Sequence, residues 1–248
     1  MRSALVLVFL AASGCGERRN VASEREIHVA AAANLTRAFN EIKPAFERQT
    51  GFRVIYSLGA TVQLAQQIEH GAPFDVFAAA DTEHIDRLAR GGYVIPETKA
   101  VYARGKLVLW IPDGGRERIE HIEDLGNPGV KHVALANPQL APYGRAAVET
   151  LDALRLWDAV EPKLVYGQSV STATQYAATG NVEAAFTALA LVYDRGGRRI
   201  DVAENLHQPI DQAIAVVRDT KHADQARQFV AFVTSPAGRE ILKRYGYD

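Results

Sequence analysis

Cysteine occurs once in the 248 residues, at position 15. A single cysteine excludes an intramolecular disulfide and any multi-cysteine metal site. An excess of charge of one sign is lacking too. Lys and Arg number 28 against 29 Asp and Glu, for a formal net charge of −1. Nothing in that balance points to nucleic acid or to an anionic membrane surface. There is no Gly-rich phosphate loop of either common type and no His-Glu-x-x-His zinc motif. The histidines at 28, 70, 84, 121, 132, 207 and 222 are scattered and read as solvated polar residues. No internal repeat and no low-complexity tract is found. Beyond the first residues no apolar run approaches transmembrane length. These absences weigh against the common enzyme classes and leave a globular α/β protein to be read from its patterning.

The chain starts with an export signal. Met1-Arg2 is a short positive start, and residues 4–12 form an apolar run. That run is too short to span a bilayer as a stable helix and reads as the apolar part of a signal peptide. It ends in Ala12-Ser13-Gly14-Cys15, which resembles the bacterial lipobox. The resemblance implies a lipoprotein signal over residues 1–15, cut before Cys15, with Cys15 lipidated. A plain secretory signal with an incidental cysteine is the alternative. Residues 16–26 are polar and charged, suiting a tether. The whole chain has 48% hydrophobic and 23% charged residues, and the part beyond residue 26 is long enough for a sizeable core.

The stretch Val29-Ala30-Ala31-Ala32-Ala33-Asn34-Leu35-Thr36 organises the rest. It reads as a buried strand running into a helix, with Leu35, Ala38, Phe39, Ile42, Ala45 and Phe46 at helical spacing. Asn34 falls where the N-cap belongs. A strand that ends at a helix N-terminus offers unpaired N–H groups and a partial positive charge, hence an anion site. The alternative is an ordinary capped turn. Pro44 lies inside the helical pattern and predicts a kink or a split. Strand–helix alternation continues through 52–56, a turn at Ser57–Thr61, a helix, and a strand at 74–78. Asp81 then caps a further helix, and this is the pattern of a parallel sheet covered by helices.

Residues 102–111 read as one strand crossing to a second lobe. Strands are predicted there over 132–136, 163–166 and 183–187, with helices over 143–156 and 171–179. Residues 213–217 read as a return strand, followed by helices over 221–234 and 236–245. The plan is two α/β lobes with a ligand cleft between them. Lobe I comprises 27–105 and 212–248, and lobe II comprises 106–211.

Four separated motifs carry a family resemblance. Ala31-Ala32-Ala33-Asn34-Leu35-Thr36 is similar to the opening of the molybdate-binding proteins of bacterial ABC importers. So is the run from Gln63-Leu64-Ala65-Gln66-Gln67-Ile68 to Asp75-Val76-Phe77. Pro138-Gln139-Leu140-Ala141-Pro142-Tyr143-Gly144 resembles the family's second-lobe loop, and Pro236-Ala237-Gly238-Arg239 to Tyr247 its C-terminus. The resemblance implies the two-lobed periplasmic binding-protein fold (type II). It implies capture of molybdate, and of tungstate, in an interlobe cleft for delivery to an ABC permease in the inner membrane. The protein would be a monomer without cofactor, lipid-anchored in the periplasm or on the extracytoplasmic face.

The same resemblance implies a ligand set. Asn34 and Thr61 would bind the oxyanion from the first lobe. Tyr143 and the backbone N–H of Val170 would bind it from the second. Ala188 stands where another branch of the family carries a tyrosine ligand, so Tyr143 would supply the hydroxyl. No protein atom would ligate the metal directly. Molybdate is a dianion without a proton at neutral pH, so donors alone suit it and carboxylates do not. Asp75 and Asp81 are therefore expected to hold structure, as a loop anchor and a cap. Other tetrahedral oxyanions remain as rivals, sulfate first, since sulfate would use a similar donor set in a smaller cavity. A catalytic or sensory module on the same scaffold also remains, although a sensor would need an attached domain for which the chain has no spare length.

Overall fold

The computed structural model describes residues 25–114 and 118–248. The signal peptide, Cys15 and most of the expected tether lie outside the described residues. The tether expected over residues 16–26 stops short of its predicted end, because Glu26 already opens the first strand and pairs in register with Arg53.

The first alternation gives β1 (Glu26–Ala32), α1 (Thr36–Thr50), β2 (Arg53–Gly59), α2 (Thr61–Glu69), β3 (Val76–Ala78), α3 (Glu83–Arg90) and β4 (Ala100–Gly105). β1 lies between β2 and β3, parallel to both. Covered on both faces, it is apolar almost throughout. α1 buries Ala38, Phe39, Ile42 and Phe46 and stops at Gly51, whose φ of 74° is the left-handed conformation that glycine adopts without strain. Pro44 does not split this helix. It sits on the exposed side, as does Asn40, the residue whose carbonyl loses its amide partner.

The expected long strand over 102–111 is two strands. β4 ends at Gly105 in the first sheet and β5 (Leu107–Ile111) begins in the second, with Lys106 between them. The second lobe then runs β6 (Val133–Ala136), α4 (Pro142–Ala153), α5 (Trp157–Val160), β7 (Leu164–Gly167), α6 (Val170–Ala178), β8 (Ala184–Ala188), α7 (Leu189–Val192) and β9 (Arg198–Asp201). The chain returns through β10 (Ile210–Val216) and finishes with α8 (Ala223–Thr234) and α9 (Pro236–Arg244).

Both sheets have five strands, ordered β2-β1-β3-β10-β4 and β7-β6-β8-β5-β9. In each, one strand runs against its neighbours, and in each it is the strand that enters from the other lobe. β10 is antiparallel to β3 and β4, and β5 is antiparallel to β8 and β9. The two crossings lie side by side, since Ile210 pairs with Gly105 and Asp201 with Val108. This is the two-lobed α/β architecture expected from the sequence. α8 is fastened to the first lobe by aromatic packing, with the Phe229 ring 5.2 Å from Phe46 and 6.0 Å from Phe39, both edge-on.

Candidate functional site

In a sheet of parallel strands the carboxyl ends feed helix N-termini, and ligands gather there. Two such turns from each lobe meet in this molecule. β1 runs through a 3-10 turn (Ala33–Leu35) into α1, and β2 runs through Ala60 into α2. β6 leads by the 137–141 loop to α4, and β7 leads to α6. Between them lies a tight cavity of about 10 Å³, and Asn34, Thr61, Tyr143 and Val170 all line it. The structure thus brings together all four residues singled out in the sequence. Ser169, which sequence reasoning leaves out of the set, lines it too.

Three of the four helices carry no capping side chain, namely α1, α2 and α4. None of the four has an acidic residue in its first turn. α3, away from the cavity, has Glu83 and Asp86 there. No carboxylate of the chain therefore neutralises the positive helix ends around the cavity, although some first-turn N–H groups are taken, Val62 N by the Leu140 carbonyl and Thr36 N by the Ala33 carbonyl. α6 is capped by Ser169, which accepts from Thr172 N at 3.2 Å. That bond leaves the N–H of Val170, the first helical residue, outside the intrahelical ladder.

No charged side chain lines the cavity. Asp81, next to the lining residue Ala80, caps α3 by accepting from His84 N at 3.0 Å and pairs with the His84 ring. His84 is therefore buried beside a carboxylate and not a solvated polar residue as expected. Asp75 anchors a loop, accepting from His28 N at 2.7 Å and from Thr220. Both aspartates have the structural roles expected of them.

Asn34 departs from expectation. It does not cap α1, whose N-cap position is Leu35 without a side-chain bond. Its amide instead donates to Gln212 Oε1 and Tyr247 Oη, both at 2.9 Å. Tyr247 Oη donates back to the Asn34 carbonyl at 2.9 Å. Gln212 Nε2 donates to Tyr143 Oη at 3.1 Å, and Tyr102 Oη lies 2.9 Å from both Gln212 Oε1 and the Ala79 carbonyl. Sequence reasoning missed both Gln212 and Tyr102. The available signal for Gln212 was one amide inside the otherwise apolar end of Ile210-Asp211-Gln212-Ala213-Ile214-Ala215-Val216.

Thr61 Oγ1 accepts from Ala80 N at 3.1 Å, and Tyr143 Oη accepts from Gln212. Among the described residues neither hydroxyl donates to a protein acceptor, so both protons can turn to the cavity. Burial pushes the Tyr143, Tyr102 and Tyr247 hydroxyls well above the ordinary tyrosine range, so all three stay protonated at neutral pH. The site is a set of neutral donors held in a low-dielectric setting, suited to an anion that carries no proton.

A roomier cavity, of about 390 Å³, lies at the lobe crossings. It is lined by Arg104, Lys106, Asp201 and Glu204, charges of both signs, and none of the four helix N-termini opens into it. Its size does not make it the better anion site, because its carboxylates would repel one.

Comparison with known proteins agrees with this geometry. Residues 27–248 match the family model of the bacterial extracellular solute-binding proteins. The chain is 38% identical over 244 residues to the molybdate-binding protein ModA of Azotobacter vinelandii, covering 95% of each chain. It is 37% identical over 230 residues to ModA of Rhodobacter capsulatus, covering 91% of this chain and 89% of that one. The solved periplasmic molybdate-binding protein of Azotobacter vinelandii superposes with a TM-score of 0.84 at 31% identity, over 90% of this chain and 98% of the other. A parallel-sheet scaffold with a donor-only cavity between its lobes, and relatedness over nearly the full described length, lead to one assignment: the chain belongs to the bacterial extracellular solute-binding protein family, among the relatives of the molybdate-binding proteins.

Proposed function

We propose that the protein is the substrate-binding component of an ABC importer, that it captures molybdate and tungstate in the cavity between its lobes, and that it hands them to a membrane permease. The observation that carries this reading is the convergence of four helix N-termini and two hydroxyls on a cavity without carboxylates. Asn34 and Thr61 bind the oxyanion from lobe I (27–105 and 212–248), and Tyr143 and Val170 bind it from lobe II (106–211). Asn34 contributes through the backbone N–H of its turn, its amide being committed to Gln212 and Tyr247. Thr61 and Tyr143 contribute hydroxyl protons and Val170 a main-chain N–H. Each bond to the charged acceptor is worth about 1.5–3 kcal/mol. The metal is reached only through its oxygens. No bond is made or broken, so the role is binding and not catalysis. Cys15 carries the lipid that holds the monomer at the extracytoplasmic face.

Calorimetry of the purified protein against molybdate, tungstate, sulfate and phosphate tests the assignment. Molybdate and tungstate are expected to bind tightly and sulfate weakly. Phosphate is expected to bind weakly, because its protonated form is best met by a carboxylate acceptor and no carboxylate lines the cavity. Sulfate binding as tightly as molybdate would overturn the choice of anion and leave the oxyanion site standing.

A further inference from the structure

The polar cluster beneath the cavity connects the two lobes through one side chain. Gln212 lies on β10, in the first sheet, where the pairing with β4 shifts register. It is fully buried and does not line the cavity. Its Nε2 nevertheless reaches Tyr143, which belongs to the second lobe.

Proton counting gives this contact a meaning. An amide has one acceptor oxygen and one amino group with two protons. Gln212 Oε1 faces the Asn34 amino group, so its own amino group must face Tyr143. Reversing Gln212 alone would set two amino groups against each other. Reversing Asn34 alone would set two oxygens against each other. The two amides can turn only together. In the polarity of the structure the Tyr143 oxygen receives a proton from Gln212, and its own proton remains to be given to the cavity. In the opposite polarity the Tyr143 proton would be spent on Gln212, and a lone pair would face the anion.

We infer that Gln212 is a positioning residue that keeps Tyr143 a proton donor towards the cavity, from across the lobe boundary. The inference rests on the oxyanion reading of the site. Gly105 fits it, since a Cβ there would lie 2.0 Å from Tyr143 Oη and 2.5 Å from Gln212 Nε2. The crossing strand leaves that space open for the pair.

The test is a double-mutant cycle on molybdate affinity, read by calorimetry, with melting followed for every variant. Gln212→Met keeps the side-chain volume and removes the donor; affinity should fall roughly threefold to tenfold. Tyr143→Phe should cost tenfold or more on its own, and adding Gln212→Met to it should change affinity no further. A purely structural Gln212 would weaken binding equally in both backgrounds, and that result overturns the proposal. So does native affinity in Tyr143→Phe, which would reveal the opposite polarity and remains readable if Gln212→Met does not fold. If wild-type protein binds none of the oxyanions, the site reading fails and the inference falls with it. Wild-type binding with an unaffected Gln212→Met overturns the inference alone.

Discussion

Tyr143 is a phenol placed where its ring is buried and its proton has no acceptor among the described protein atoms. Tyr143→Phe removes that proton and keeps the ring. If the hydroxyl donates to the dianion, one ligand oxygen loses its partner in a dry site, at a cost of about 1.5–3 kcal/mol, or roughly tenfold to 150-fold in affinity. Melting measured alongside separates lost binding from lost packing. The same burial sets a pH expectation. An ordinary tyrosine loses its proton near pH 10, and burial holds the Tyr143 hydroxyl higher still. The neutral donor is thus fully present from neutral pH upward until well past that point. Molybdate affinity should stay level as pH rises from about 7 to 9, and calorimetry across that interval checks it. A fall in that interval would mean that a group with a lower pKa, and not Tyr143, controls the donor set.

The elements around the site depend on close approach of helix ends to strand ends. Gly144, in the first turn of α4, shows how close: a Cβ there would lie 2.1 Å from the Ala136 carbonyl oxygen, which is backbone and cannot swing aside. Gly144→Ala should therefore push the start of α4 off β6, lowering the melting temperature and weakening molybdate binding together, because Tyr143 rides on the same turn. Unchanged melting would show that the turn can give way. Elements governed by local pattern were legible in the sequence. The Ile27–Ala32 strand, the α1 face and the Ser169–Ser171 helix start follow from periodicity and turn chemistry. β9 was not legible: Arg198-Arg199-Ile200-Asp201 is an exposed edge strand with no apolar alternation, and it exists because Leu109 and Trp110 pair with it. The change of lobe at 105/106 was legible, because Arg104-Gly105-Lys106 interrupts the apolar run there; that the run is two strands and not one shows only in their different partners, β10 for β4 and β8 and β9 for β5. At the site, loop positions and donor types could be read, whereas the partners of Asn34 could not. Gln212 and Tyr247 lie 178 and 213 residues away, and nothing local announces a contact of that range.

At the scale of the whole molecule the lobes meet through more than the cavity. Val62 N donates to the Leu140 carbonyl at 3.1 Å, and Ser171 Oγ to the Ala33 carbonyl at 2.9 Å. At the rim Arg145 pairs with Glu83 at 2.9 Å. Arg37 grips Asp194 with both terminal guanidinium nitrogens while lying over the Tyr193 ring. The Arg37 contact holds the Asp194 carboxyl below its ordinary range. Partly exposed pairs of this kind are each worth less than about 1 kcal/mol and are screened by salt. They can bias the lobes towards closure without locking them; on the proposed function the decisive bias is an anion bound from both lobes at once. Attachment belongs to this scale too: with Cys15 lipidated, native protein should partition with membranes, and Cys15→Ser should release it without an acyl mass. Closure itself has a direct measurement. Small-angle scattering should show a smaller radius of gyration with molybdate than without, because only the closed form completes the donor set. Asp194→Asn, which touches no residue of the cavity lining, should weaken molybdate binding by up to about fivefold at low salt. That deficit should shrink as salt is raised towards about 1 M, where screening acts within about 3 Å. A scattering profile that molybdate leaves unchanged would place the whole binding energy within one lobe or within an already closed molecule. The Arg37–Asp194 pair would then have no equilibrium to bias, and Asp194→Asn should bind like the wild type at every salt concentration.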